Sequence, residues 1–77
     1  MIDENTLTTM LREHIPDAEV RLEDRTGTMD HFNLYVRSRA FDGRTLLDQH
    51  RLVYSALDAA MRDGRIHALQ IKTEVAK

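Results

Sequence analysis

The sequence predicts an α+β domain with its elements in the order α-β-β-α-β. Two observations carry that reading. Two short stretches alternate apolar and polar residues with a period of two, and two longer ones repeat apolar residues at helical spacing. Turn signals at Thr26-Gly27, Asp42-Gly43 and Asp63-Gly64 punctuate the pattern. The chain has 77 residues, enough for a single domain over 1–77 with a thin core.

The first helix follows Asp3, a residue type that caps helix N-termini by accepting a backbone N–H. Leu7, Met10, Leu11 and Ile15 then share one face, and Pro16 closes the helix because residues before proline disfavour helical geometry. Next, Ala18, Val20 and Leu22 alternate with Glu19, Arg21 and Glu23, the pattern of a half-buried strand. After a polar loop over 24–30, Phe32, Leu34 and Val36 alternate with Asn33, Tyr35 and Arg37. The loop is short, so these two strands are expected to pair antiparallel.

From Thr45 to Arg62 the period is helical, with Leu46, His50, Val53, Leu57 and Met61 on one face, and Gly64 is the expected C-cap. Leu46 and Leu47 are assigned to core packing, with an exposed partner patch as the alternative; Tyr54 is assigned to packing, and His50 to a partly buried structural role. Ile66 to Thr73 is the third strand, with Leu69 and Ile71 on one side, and the tail after it is too short for another element. A helix joins the second and third strands. Such a crossover normally makes parallel, right-handed neighbours. The expected result is a three-stranded mixed sheet with helices on one face and the other face largely open. His31 and His67 open two adjacent parallel strands, at the end of the sheet that carries the 24–30 loop. By alternation His31 lies opposite Phe32, and His67 shares the face of Leu69 and Ile71, so they converge only where the loop or a strand end twists.

There are no cysteines, which excludes disulfides and any metal site built from this chain's own thiolates. The first residues lack the basic and apolar regions of a signal peptide, and no apolar run approaches the roughly 20 residues of a membrane span. The expectation is a cytoplasmic protein with no membrane association. Net charge is −2, divided as −5 over residues 1–31 and +3 over residues 32–77. Arg37, Arg39, Arg44, Arg51 and Lys72 form the candidate basic surface for a protein partner or for phosphates. The overall balance argues against tight non-specific nucleic-acid binding, which needs many phosphate contacts. No nucleophile–base pair, phosphate loop or paired-carboxylate motif stands out, so an enzyme is not expected.

Four segments together resemble the BolA-like family. Phe41 to Tyr54, FDGRTLLDQHRLVY, is similar to its F-x-G-K-S stretch followed by R/Q-H-R/Q-x-V-Y. Ile66 to Thr73, IHALQIKT, is similar to its I-H-A-L-x-I-K-T segment. His31-Phe32 matches the opening of its second strand, and Asp24 to Gly27 its hairpin loop. The segments stand in family order and spacing and cover about residues 15 to 73.

The resemblance implies a type II KH-like fold in which the helical region is split, with the break expected between Thr45 and His50. It implies a non-enzymatic partner of monothiol glutaredoxins in iron–sulfur cluster assembly and trafficking. There a [2Fe–2S] cluster is shared between the glutaredoxin cysteine, a glutathione thiolate and ligands of the BolA-like chain. His67 matches the family's C-terminal ligand. The second family ligand is a cysteine or histidine of the hairpin loop, which this sequence lacks; His31, at the loop's exit, is the nearest imidazole, with Asp30 the weaker alternative. Histidine can replace cysteine on one iron of a two-iron cluster. The free chain is expected to be a monomer or weak dimer without a cofactor of its own. The resemblance also carries an alternative, a DNA-binding transcriptional regulator of stress response and cell morphology, with Arg44 and Arg51 the base-reading candidates. No G-x-x-G loop of the KH type occurs.

Overall fold

The computed structural model describes residues 2–24, 31–66 and 68–76. Helix α1 (Glu4–His14) starts at Asp3, whose carboxylate accepts from the Thr6 N–H at 2.7 Å. It ends before Pro16, with the Ile15 N–H donating back to the Leu11 carbonyl. Leu7, Leu11 and Ile15 are fully buried, as the spacing predicts. Arg12 and His14 stand in its last turn, where positive charge complements the helix dipole.

Strands β1 (Glu19–Asp24) and β2 (His31–Ser38) pair antiparallel, with Glu19 opposite Arg37 and Leu22 opposite Leu34. Strand β3 (Ala68–Val75) pairs parallel with β2, with Phe32 opposite Leu69 and Leu34 opposite Ile71. The sheet order is β1-β2-β3, so β2 is central. Phe32, Leu34 and Val36 are buried beneath the helices, while the alternate residues Tyr35 and Arg37 turn to the other, open face. The mixed sheet and the parallel crossover agree with the sequence reading. The third strand is displaced, running from Ala68 to Val75 and not from Ile66 to Thr73.

The helical region differs more. It forms α2 (Leu46–Ala56) and α3 (Asp58–Arg62), preceded by a 3-10 turn over Arg39–Phe41 that the sequence reading did not contain. The break falls at Leu57, not between Thr45 and His50. Leu57 leaves helical geometry (φ −102, ψ 8), and its N–H donates to both Val53 and Tyr54 carbonyls. Apolar burial sets the position: Leu57 is fully buried, and the bend lets both it and Ala60 reach the core. Thr45 caps α2 by accepting from the Asp48 N–H. Gly43 has φ 75, the left-handed conformation that an Asp-Gly turn requires. No helix among the described residues is long and apolar enough to cross a membrane.

Candidate functional site

Strand β2 begins at His31 and the described part of β3 at Ala68, and these two residues are register partners in the parallel pair. Parallel neighbours lie about 4.8 Å apart, so the backbone brings the His31 position beside the residue that follows His67. The register thus sets the opening of β2 beside the first described residue of β3. His67 itself and the loop over 25–30, Asp30 included, lie outside the described residues, as does the side chain of His31. Among the described residues no group of three or more histidine or acidic side chains could hold a metal ion. The donors this chain can offer at that sheet end are imidazoles and carboxylates, since it contains no thiol.

The five basic candidates do not form one surface. Arg37 and Lys72 stand on the open face of the sheet, on β2 and β3: Lys72 is opposite Tyr35, and Arg37 is opposite Glu19 on β1 and Glu74 on β3. Arg37 reaches Glu19 at 3.7 Å. This face holds an open depression of about 400 Å³, lined in part by Arg21, Tyr35 and Lys72. Arg44 and Arg51 belong to the helical layer on the opposite side. The Arg44 Nε donates to the Ala40 carbonyl at 2.8 Å, and Arg51 stands 3.9 Å from Asp48. Arg39 sits at the junction between the layers, where its backbone N–H donates to Asp17 at 2.9 Å.

Helix α2 overturns three packing assignments. Leu46 is 64% exposed, Leu47 60% and Tyr54 41%. The buried stripe of the helical region is instead Gln49, Val53, Ala56, Leu57 and Ala60. Leu47, Arg51 and Tyr54 follow at i, i+4 and i+7, so they line one outward stripe of α2, with Leu46 at its N-terminal end. His50 is half-buried, in keeping with its structural assignment. Its Nε2 is out of contact with water and has no hydrogen-bond partner among the described residues.

Gln49 escaped the sequence reading. Its side-chain amide donates to the Arg44 carbonyl at 3.1 Å and to the Phe41 carbonyl at 3.5 Å, and its oxygen accepts from the Thr73 hydroxyl. It thereby ties the turn before α2 to β3. The signal available was its place in the apolar stripe, four residues before Val53 and eight before Leu57.

The profile of the BolA-like protein family matches residues 8–77. Protein RP812 of Rickettsia prowazekii is 31% identical over 72 residues, which is 94% of this chain and 92% of that one. SufE-like protein 1 of Arabidopsis thaliana is 39% identical over 59 residues, 77% of this chain but only 16% of that protein. Its BolA domain, solved separately, is 29% identical with a TM-score of 0.78, covering 97% of this chain and 95% of the domain. The structure of BolA1 from Arabidopsis thaliana is 29% identical with a TM-score of 0.80, covering 96% of this chain and 94% of that one.

Proposed function

The chain belongs to the BolA-like family, and on that premise we propose that it is a non-enzymatic adaptor in iron–sulfur cluster handling that docks on a monothiol glutaredoxin and contributes imidazole ligation to a shared [2Fe–2S] cluster. The observation that carries the docking half is the exposed stripe of Leu46, Leu47 and Tyr54 on α2. Large apolar side chains grouped on the surface of a small domain are costly to solubility and mark contact surfaces. The partner covers this stripe, and Arg44 and Arg51 beside it supply a charged rim.

The ligation half rests on the family's C-terminal histidine, here His67, and on chain path. The parallel register sets the His31 position beside Ala68, the residue that follows His67 in the chain. With no cysteine in the chain, the thiolates must come from the partner and from glutathione. His67, and His31 after it, would hold one iron of the cluster, which would supply a centre able to take imidazole in place of thiolate. This chain's part is to present neutral imidazole, His67 first and His31 second.

The experiment is a titration of cluster-loaded monothiol glutaredoxin, with glutathione present, by this protein and its His67→Ala variant. Visible absorption and circular dichroism follow the cluster. The expected result is a reshaped cluster spectrum with the wild type and none with the variant. An unchanged spectrum with both, and no complex by size exclusion, removes the glutaredoxin reading. The DNA-regulator reading then moves first. Its own test is salt-dependent, sequence-selective DNA binding lost in Arg44→Ala and Arg51→Ala.

A further inference from the structure

The open face of the sheet carries an ordered charge pattern, set by strand register. One rung across the three strands reads Glu19, Arg37, Glu74, and the next reads Arg21, Tyr35, Lys72. The five charged side chains are exposed and Tyr35 is half-buried between Arg21 and Lys72. The rungs are thus acid–base–acid and base–aromatic–base, with formal charges of −1 and +2. A polyanion laid across them meets Glu19 and Glu74 as well as the cations, so the pattern fits no phosphate chain. It does fit itself.

We infer that this face pairs with a second copy of the same chain. Consider a two-fold axis lying across the strands, midway between the two rungs. It keeps each strand above its own counterpart and exchanges the rungs. Glu19 then faces Arg21 of the second copy, Glu74 faces Lys72, and Arg37 lies over the Tyr35 ring. Every contact occurs twice, as an isologous interface demands. Four ion pairs and two cation–aromatic contacts result, with no like charges opposed. An axis along the strands instead sets Glu19 against Glu74 and Arg21 against Lys72, so the charges select one orientation. Packed sheets lie about 10 Å apart, a span that facing arginine and glutamate, or arginine and tyrosine, side chains bridge. The depression of about 400 Å³ around Tyr35 and Lys72 receives the incoming side chains.

A face of three strands and two to three rungs measures roughly 15 by 20 Å. It buries less than the roughly 1,200 Å² of stable interfaces, so the dimer is weak and salt-sensitive. Its geometry turns the two helical layers outward in opposite directions. One dimer thereby displays two copies of the α2 stripe. The assignment is independent of what binds that stripe.

Lys72 and Glu74 allow a decisive test, because both are exposed and each faces the other across the axis. Sedimentation equilibrium at protein concentrations up to about 1 mM, in about 50 mM and about 500 mM salt, reads the association. The wild type is expected to dimerise at low salt and to dissociate at high salt. Lys72→Glu alone and Glu74→Lys alone are each expected to abolish the dimer, with far-UV circular dichroism unchanged. An equimolar mixture of the two variants is expected to form a heterodimer, because its opposed charges are again complementary. A wild type that stays monomeric at low salt overturns the inference, as does a dimer that survives either single reversal. So does a monomeric wild type whose Tyr35 and Lys72 amide signals shift with single-stranded oligothymidine, which assigns the face to a polyanion.

Discussion

Asp17 and Ser38 stand 21 residues apart in the chain and meet in a 2.5 Å hydrogen bond, the Ser38 hydroxyl donating to the carboxylate. The second carboxylate oxygen accepts from the Arg39 N–H, and the Ser38 Oγ in turn accepts from the Ala40 N–H. One side chain from the α1–β1 connection thus fixes the point where β2 turns into the 3-10 segment. The Ser38 hydroxyl, and after it the Arg39 N–H, holds the Asp17 carboxyl below its ordinary value of 3.8. A depressed carboxylate contributes stability above its unfolded pKa and loses it as pH falls through the folded one. Wild type is therefore expected to exceed Asp17→Asn in stability near neutral pH. The gap is expected to close as the pH drops below about 4. Urea denaturation of both proteins across that range checks it; a gap independent of pH counts against the bond.

Gln49 offers a test of packing against hydrogen bonding. Gln49→Ala strips partners from two backbone carbonyls and from the Thr73 hydroxyl at once. The expected cost is about 1–3 kcal/mol in urea denaturation. Thr73→Val removes only one of these bonds and is expected to cost about 1 kcal/mol. Equal effects from the two changes would place the weight on the Thr73 contact and not on the turn before α2.

The α2 stripe separates binding from folding. Leu47→Asp and Tyr54→Ser alter exposed positions, so stability is expected to stay within about 0.5 kcal/mol of wild type. Affinity for apo monothiol glutaredoxin, read by calorimetry, is expected to fall about tenfold or more, as for a central interface residue. Unchanged affinity would move the docking surface off α2.

Imidazole ligation predicts a pH profile for the shared cluster. A ligand must be unprotonated, and histidine ordinarily titrates near pH 6.5. The wild-type cluster spectrum is expected to revert towards that of glutaredoxin alone as pH falls through about 6, while the spectrum with His67→Ala stays flat. Circular dichroism against pH distinguishes the two.

The sheet was legible because its signals are local. Phe32, Leu34 and Val36 alternate strictly, and all three are buried. The Asp3 cap and the Pro16 stop work within a turn or two of the residues they act on. The helical layer was misread through an exchange of roles: apolar Leu46 and Leu47 face outward, while polar Gln49 faces in. Periodicity alone favours the stripe that contains Leu46. What stabilises Gln49 inside is Thr73, 24 residues further on, and a local window does not see it. The basic candidates were found one by one, but register decides that Arg37 and Lys72 share a face while Arg44 and Arg51 lie on the other layer.

The crossover between β2 and β3 also shapes the order of assembly. The hairpin partners Asp24 and Phe32 are eight positions apart, whereas the parallel partners His31 and Ala68 are 37 apart. Closing the longer loop costs more chain entropy before any contact rewards it. The β1–β2 hairpin is therefore expected to form before β3 docks. β3 supplies Leu69 and Ile71 as the parallel partners of Phe32 and Leu34, so the central strand gains its second neighbour only when the chain has folded through Val75.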